Sequence, residues 1–331
     1  MELILNTFGT YLTKENDTFL VIHKDGKQRI SPEKLKRISI GKGTQISSDA
    51  AMLAIQYEID VLFIDRGGQP LGRIWSNKYG SISTIRRNQI DFVFSKEAVE
   101  WIKEVVLHKI NNQMGLLYSF DTGDQPVIGR KIQNYVNRLT DYQTKIKGLQ
   151  GDVVSDIAST LRGWEGAASR NYFEAINLFL PSAYQFEKRT QHPAMDIFNA
   201  LLNYGYGMLY GKIEGALIKA GIDPYVGVFH RDNYARPVFV FDVIERYRIW
   251  VDYVVVSLVM QEAIQEACYS QKEDGSIWLE GLGKRILIQS INDYLDELIL
   301  LEGKQRSRGT HIQLYAHSLA QKFVNFKVEN K

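Results

Sequence analysis

The hydrophobic period of the chain changes once, near residue 80, and that change constrains the fold more than any motif. Before it, short β-rich runs alternate with turn signals: "ELIL", "TFLVIH" then "KDGK", "RISIGKG", "VLFID" then "RGGQP", and "LGRIW". Asp25-Gly26 and Gly67-Gly68 are hairpin-type dipeptides. One helix interrupts, "SSDAAMLAIQYEI", with Ser47 or Ser48 as its N-cap. After "SNKYGSIST" the spacing becomes helical. Ala98, Trp101, Ile102, Val105, Val106, Ile110, Met114 and Leu117 form one stripe, and Ile132, Tyr135, Leu139, Tyr142 and Ile146 another. Further helices are expected over 152–162, 165–180, 195–220, 241–270, 282–302 and 310–326, with Ser270 to Ser276 as an exposed loop. The expected fold class is α+β, with a small β-rich domain over 1–80 and a larger all-α domain over 81–331. At about 150 residues per domain, 331 residues suit two domains.

Composition removes several function classes. A net charge of +2 is too small for a histone-like protein, so a polyanion must be met by a local basic patch. The single cysteine, Cys268, excludes an intrachain disulfide and a Cys-rich zinc site. The start "MELILNTFGTYL" has no basic segment before an apolar core, as a signal peptide would. The longest apolar run, "YVVVSLVM", is far short of the roughly 20 residues a membrane span needs. The expectation is a soluble, cytoplasmic protein with no membrane partner.

Four polar residues stand out against apolar or tightly packed surroundings. Glu165 lies in "RGWEGAASRNYF", read as at or near a helix start, before a Gly-Ala-Ala run suited to close helix packing. His230 ends "DPYVGVFH". Asp242 and Glu245 lie in "VFVFDVIERYRIW", three apart, which puts both on one face of a helix. Singly, each has an ordinary explanation: a helix-start carboxylate, a satisfied histidine, a solvated face paired with Arg246 and Arg248. Together, carboxylates and an imidazole make a hard ligand set suited to Mg²⁺ or Mn²⁺; zinc also fits by ligand type. Arg170, Arg231, Arg236, Arg246 and Arg248 crowd these residues in sequence, and arginine forks match phosphate. Tyr204, Tyr206 and Tyr210 in "NYGYGMLYGK" are either helix core or aromatic platforms for DNA bases.

On these residues the chain resembles the CRISPR-associated endonuclease of spacer acquisition, the integrase of CRISPR adaptation. "LRGWEGAASRNYF" resembles its glutamate motif, and "NALLNYGYGMLYGKIEGALIKAGIDPYVGVFH" its central helix and histidine motif. "PVFVFDVIERYRIWVD" resembles its acidic motif, and "ISIGKGTQISSDAAMLAIQYEIDVLFIDRGGQPLGRIW" the end of its β domain. Two departures exist. Trp164 replaces an aliphatic residue before the glutamate. Glu245-Arg246-Tyr247-Arg248-Ile249 stands for Glu-Pro-Phe-Arg-Pro, leaving the next helix start unmarked.

The resemblance implies a β-rich N-terminal domain and a helical catalytic domain. It places Glu165, His230 and Glu245 at three metal-ligand positions, Asp242 at a supporting acidic position, and Tyr210 near the DNA. It implies transesterification, in which a protospacer 3′-hydroxyl attacks a phosphodiester at the edge of a CRISPR repeat with Mg²⁺ or Mn²⁺ assistance. Arg170, Arg231, Arg246 and Arg248 become candidate contacts to double-stranded DNA. The implied partners are a second copy, joined through the β domain, and a small second CRISPR-associated protein. The competing expectations are a catalytically inactive DNA-binding scaffold and an unrelated metal-dependent phosphoesterase.

Overall fold

The computed structural model describes residues 2–76, 83–120, 126–191, 193–230 and 236–327, and its internal contacts divide the chain into Met1–Gly80 and Ser81–Lys331. Among the described residues the first unit holds eight strands: β1 (Glu2–Leu5), β2 (Tyr11–Glu15), β3 (Thr18–His23), β4 (Gly26–Ile30), β5 (Arg37–Ile40), β6 (Gln45–Ile46), β7 (Asp60–Ile64) and β8 (Pro70–Ile74). They form two four-stranded sheets, ordered β1-β5-β7-β8 and β4-β3-β2-β6. β1, β5 and β7 run parallel, and β8 pairs antiparallel with β7. Alternating apolar residues from both sheets, with helix α1 (Ser48–Gln56), make the core: Leu12, Phe19, Ile38, Ala50, Ala54 and Val61 are fully enclosed. Ser47 is the cap of α1, its hydroxyl accepting from the Ala50 amide at 3.1 Å. Gly26 at φ 148° and Gly68 at φ 80° take the turn conformations that a side chain would resist.

The second unit is built from α2 (Ser83–Val93), α3 (Lys96–Phe120), α4 (Pro126–Lys147), α5 (Val154–Asn177), α6 (Ile197–Lys219), α7 (Val238–Ile244), α8 (Arg248–Met260), α9 (Gly281–Asp296) and α10 (Arg308–Asn325). α6 is its centre. Its buried residues lie on every side, so it is a helix packed all round. A Cβ at Gly205 would lie 2.5 Å from Val251 Cγ1, so glycine lets α8 approach α6 closely.

Several expectations change here. The second unit is not all-α: it carries two hairpins, β9 (Tyr269–Gln271) with β10 (Ile277–Leu279), and β11 (Leu298–Leu301) with β12 (Lys304–Ser307). The expected loop at Ser270–Ser276 therefore begins within a strand. The expected helix over 282–302 stops at Asp296, because Glu302 (φ 50°) and Gly303 (φ 74°) form a two-residue left-handed turn that folds "LILL" back as a strand. The single helix expected over 241–270 breaks at Glu245–Tyr247 and ends at Met260. The two helices expected over 152–162 and 165–180 are one, α5, whose amino end is held by Asp156 accepting from the amides of Asp152 and Val153. Gly166 does not mark close packing, since a Cβ there would meet open space.

Candidate functional site

Helices α3, α5 and α8 and the loops flanking α7 enclose a cavity of about 270 Å³. α5 contributes Glu165 and Ser169, and α3 contributes Lys109 and Gln113, each pair one turn apart on its helix. Glu245 follows the last residue of α7, and Arg248 opens α8. His230, Arg189, Tyr206 and Asp252 also line the cavity.

Glu165 lies in the middle of α5, so the dipole of a helix start does not account for it. Its partners do. The Lys109 ammonium donates to Glu165 Oε1, and Ser169 Oγ donates to the same oxygen at 3.0 Å. The same ammonium lies 2.6 Å from Glu245 Oε2, while Arg248 Nε donates to Glu245 Oε1 at 2.8 Å. Two carboxylates distant in sequence thus converge on one buried cation. Burial alone would raise the Glu245 carboxyl, but Arg248 and Lys109 outweigh it and hold it at about 2. Burial would likewise lower the Lys109 ammonium; Glu245 and Glu165 outweigh that and leave it above its ordinary value.

His230 owes its orientation to Asp242, which is fully enclosed. Asp242 Oδ2 accepts from the Val228 and Phe229 amides at 2.7 and 3.1 Å, and Oδ1 accepts from the His230 amide at 3.1 Å. Oδ1 also lies 2.7 Å from His230 Nδ1, which assigns the ring proton to Nδ1 and leaves the Nε2 lone pair for the cavity. Asp242 is therefore a positioning residue. Although three residues apart in sequence, Asp242 and Glu245 serve different places, one behind the imidazole and one in the cavity. The loop before His230 is pinned from two helices. Gln89 of α2 donates to the carbonyls of Asp223 and Val226, and Arg162 of α5 donates to the carbonyl of Phe229 at 2.9 Å.

A second polar group supports the wall. Asp252 accepts from Tyr172 Oη at 2.9 Å and from Tyr206 Oη, and burial raises its carboxyl despite those bonds. Arg248 stacks on the Tyr206 ring at 4.7 Å; Arg189 is held by Asn199 and Asn203 at 2.6 Å each.

Not every candidate gathers here. Arg170 is exposed on α5 and does not line the cavity. Arg246 turns the other way, into a separate cavity of about 180 Å³, over the Tyr315 ring at 4.5 Å and 3.7 Å from Glu302. Tyr210 is 8% exposed, its ring against Phe241 and its hydroxyl donating to the Pro237 carbonyl, so it is helix core and offers no face to DNA. Arg231 lies outside the described residues. Sequence reasoning missed Lys109, Gln113, Ser169, Arg189 and Asp252. One signal was present: Lys109 and Gln113 occupy the buried stripe of α3, where an apolar residue is the default.

Among the described residues, no three His, Cys, Asp or Glu side chains are arranged as they stand to hold a metal ion. The carboxylates are paired with Lys109 and Arg248 instead. The donor chemistry nonetheless suits a hard cation. Gln113 Oε1 is buried in the wall without a hydrogen-bond donor, Glu245 Oε2 faces the Lys109 ammonium, and His230 offers a neutral nitrogen.

Residues 3–293 match the family described as CRISPR associated protein Cas1. A CRISPR-associated endonuclease Cas1 of Archaeoglobus fulgidus is 31% identical over 96% of this chain and 95% of its own. A solved Cas6-RT-Cas1–Cas2 complex contains a chain that superposes with a TM-score of 0.80 at 24% identity, covering 98% of this chain and 35% of that one. A casposase bound to integration product superposes with a TM-score of 0.81 at 21% identity, covering 99% of this chain and 94% of that one.

Proposed function

The chain belongs to the CRISPR associated protein Cas1 family, and from that premise we propose that it is a metal-dependent DNA integrase and endonuclease of CRISPR adaptation. It joins the 3′-hydroxyl of a protospacer to a phosphodiester at the edge of a CRISPR repeat by transesterification. The observation that carries this reading is the meeting of Glu165, Glu245 and His230 in one cavity walled by Lys109, Arg189 and Arg248. Glu165, Glu245 and His230 Nε2 would hold Mg²⁺ or Mn²⁺. When bound, that ion supplies Lewis-acid polarisation of the scissile phosphate and acidifies the attacking hydroxyl. Asp242 keeps the proton on His230 Nδ1, so the imidazole serves as a neutral ligand rather than a base. Arg189 and Arg248 present guanidinium groups to phosphate oxygens from fixed positions, which is the electrostatic preorganisation that phosphoryl transfer needs.

Integration requires two strand transfers, so one site per chain calls for a homodimer. The β-rich unit is the proposed dimer surface; Leu71 on its edge strand β8 and neighbouring Trp75 are 72% and 52% exposed. A small second CRISPR-associated protein would complete the assembly on double-stranded DNA. Manganese-dependent strand transfer into a repeat-containing duplex tests the reading. Glu165→Ala and Glu245→Gln should abolish joining while leaving DNA affinity near wild type. Undiminished joining in both variants would remove the catalytic assignment. DNA affinity that does not fall with added salt would point to a small phosphoester substrate instead.

A further inference from the structure

Lys109 is the least expected member of the site. It sits on the buried stripe of α3 with its side chain 10% exposed, and its one ammonium meets both Glu165 and Glu245. A lysine is rarely placed so deep unless it is paired, and here it is paired twice. Without it, two carboxylates would face each other with Arg248 compensating only on the Glu245 side, and like charges so placed repel.

We propose that Lys109 is a resident counter-ion of the integrase centre, which a divalent cation must displace before the carboxylates can ligate it. The inference rests on the metal-dependent reading above and goes beyond it, because it assigns to Lys109 control over how tightly the ion is held. Three observations support it. The ammonium occupies the point where the two carboxylates converge. The ammonium is held by Glu165 Oε1 and Glu245 Oε2, the same oxygens that a cation at that point would need, so ion and ammonium compete for one set of partners. Arg248 holds the other Glu245 oxygen and also stacks on Tyr206, a second anchor that keeps it in place while Lys109 leaves. Lys109 acts through the carboxylates and is a positioning residue.

Metal binding separates the outcomes without reference to catalysis. Calorimetric titration of the full chain with Mn²⁺ is compared between wild type and Lys109→Met, which keeps the length and removes the charge. With the competitor gone, the variant should bind on the order of tenfold more tightly. It should also melt at a lower temperature than wild type without metal, and Mn²⁺ should raise its melting temperature by more. Binding equal to or weaker than wild type overturns the proposal and leaves the metal site intact. No Mn²⁺ binding by wild type or variant overturns the metal reading itself, and this inference with it. If Lys109→Met does not fold, the wild-type chain still decides. Amine acylation at Lys109, read by peptide mass spectrometry, should rise several-fold when Mn²⁺ is added, and unchanged or reduced labelling overturns the proposal.

Discussion

Replacing Asp242 by asparagine changes no heavy-atom shape, yet it should unmake the histidine ligand. The wild-type carboxylate is enclosed and only accepts: two amides at Oδ2, one amide and His230 Nδ1 at Oδ1. An amide side chain must turn its NH₂ toward one side or the other. Turned toward Val228 and Phe229, it opposes two backbone donors, at about 1–3 kcal/mol each. Turned toward His230, it opposes one backbone donor, at about 1–3 kcal/mol, and meets Nδ1, which can switch to accepting. The second orientation costs less, so it should prevail. It moves the imidazole proton to Nε2, removing the lone pair that would face a metal. Asp242→Asn should therefore lose about 1–3 kcal/mol of stability by urea titration. Its Mn²⁺ affinity should fall about 10–100-fold by calorimetry. Nitrogen chemical shifts of His230 should report the exchanged tautomer. Wild-type Mn²⁺ affinity with an unchanged tautomer would refute the reasoning.

Other perturbations test the surrounding structure. Gly166→Ala, in the middle of α5 with open space at the new methyl, should stabilise the chain by about 0.8–1 kcal/mol, read from the denaturation midpoint; a loss would show that this face is covered. Tyr210→Phe should leave DNA affinity unchanged and cost about 0.5–1.5 kcal/mol for the lost bond to Pro237, whereas weakened DNA binding would restore Tyr210 as a contact residue. His108 is held at about 4 by burial and by Arg246, below the ordinary 6.5. The unfolded chain then binds more protons between those values, so stability is fully present above about 6.5 and is lost as pH falls toward 4. His108→Asn should flatten that part of the pH–stability curve, and an unchanged slope would assign it to other groups.

Much of the fold was legible because periodicity is local. The apolar run in "TFLVIH" marks a buried strand, the helical stripe from Ala98 to Leu117 records which side of its helix is buried, and Ser47 and Gly26 carry their conformational signals within a few residues. The hairpin at 298–307 was hidden for the same reason. "LILL" suits a helix or a strand equally, and Glu302-Gly303 is not a dipeptide that announces a turn. The site was legible only in part. Glu165, His230, Asp242 and Glu245 stood out against apolar surroundings and their chemistry suggested a cation, while their separate roles came only from a resemblance.

The sequence alone determined the residue types, the hydrophobic periods and so the change near residue 80. Tertiary structure decided what those periods cannot encode: what stands opposite each buried face. Only packing puts Lys109 between two carboxylates, one of them 56 residues away along the chain, and sets Asp242 behind His230 while Glu245, three residues on, faces the cavity. It also turns Arg246 away and Arg248 inward, and buries Tyr210 in the core. Ion pairing and enclosure depend on distance through space, and distance through space is fixed only once the helices have packed.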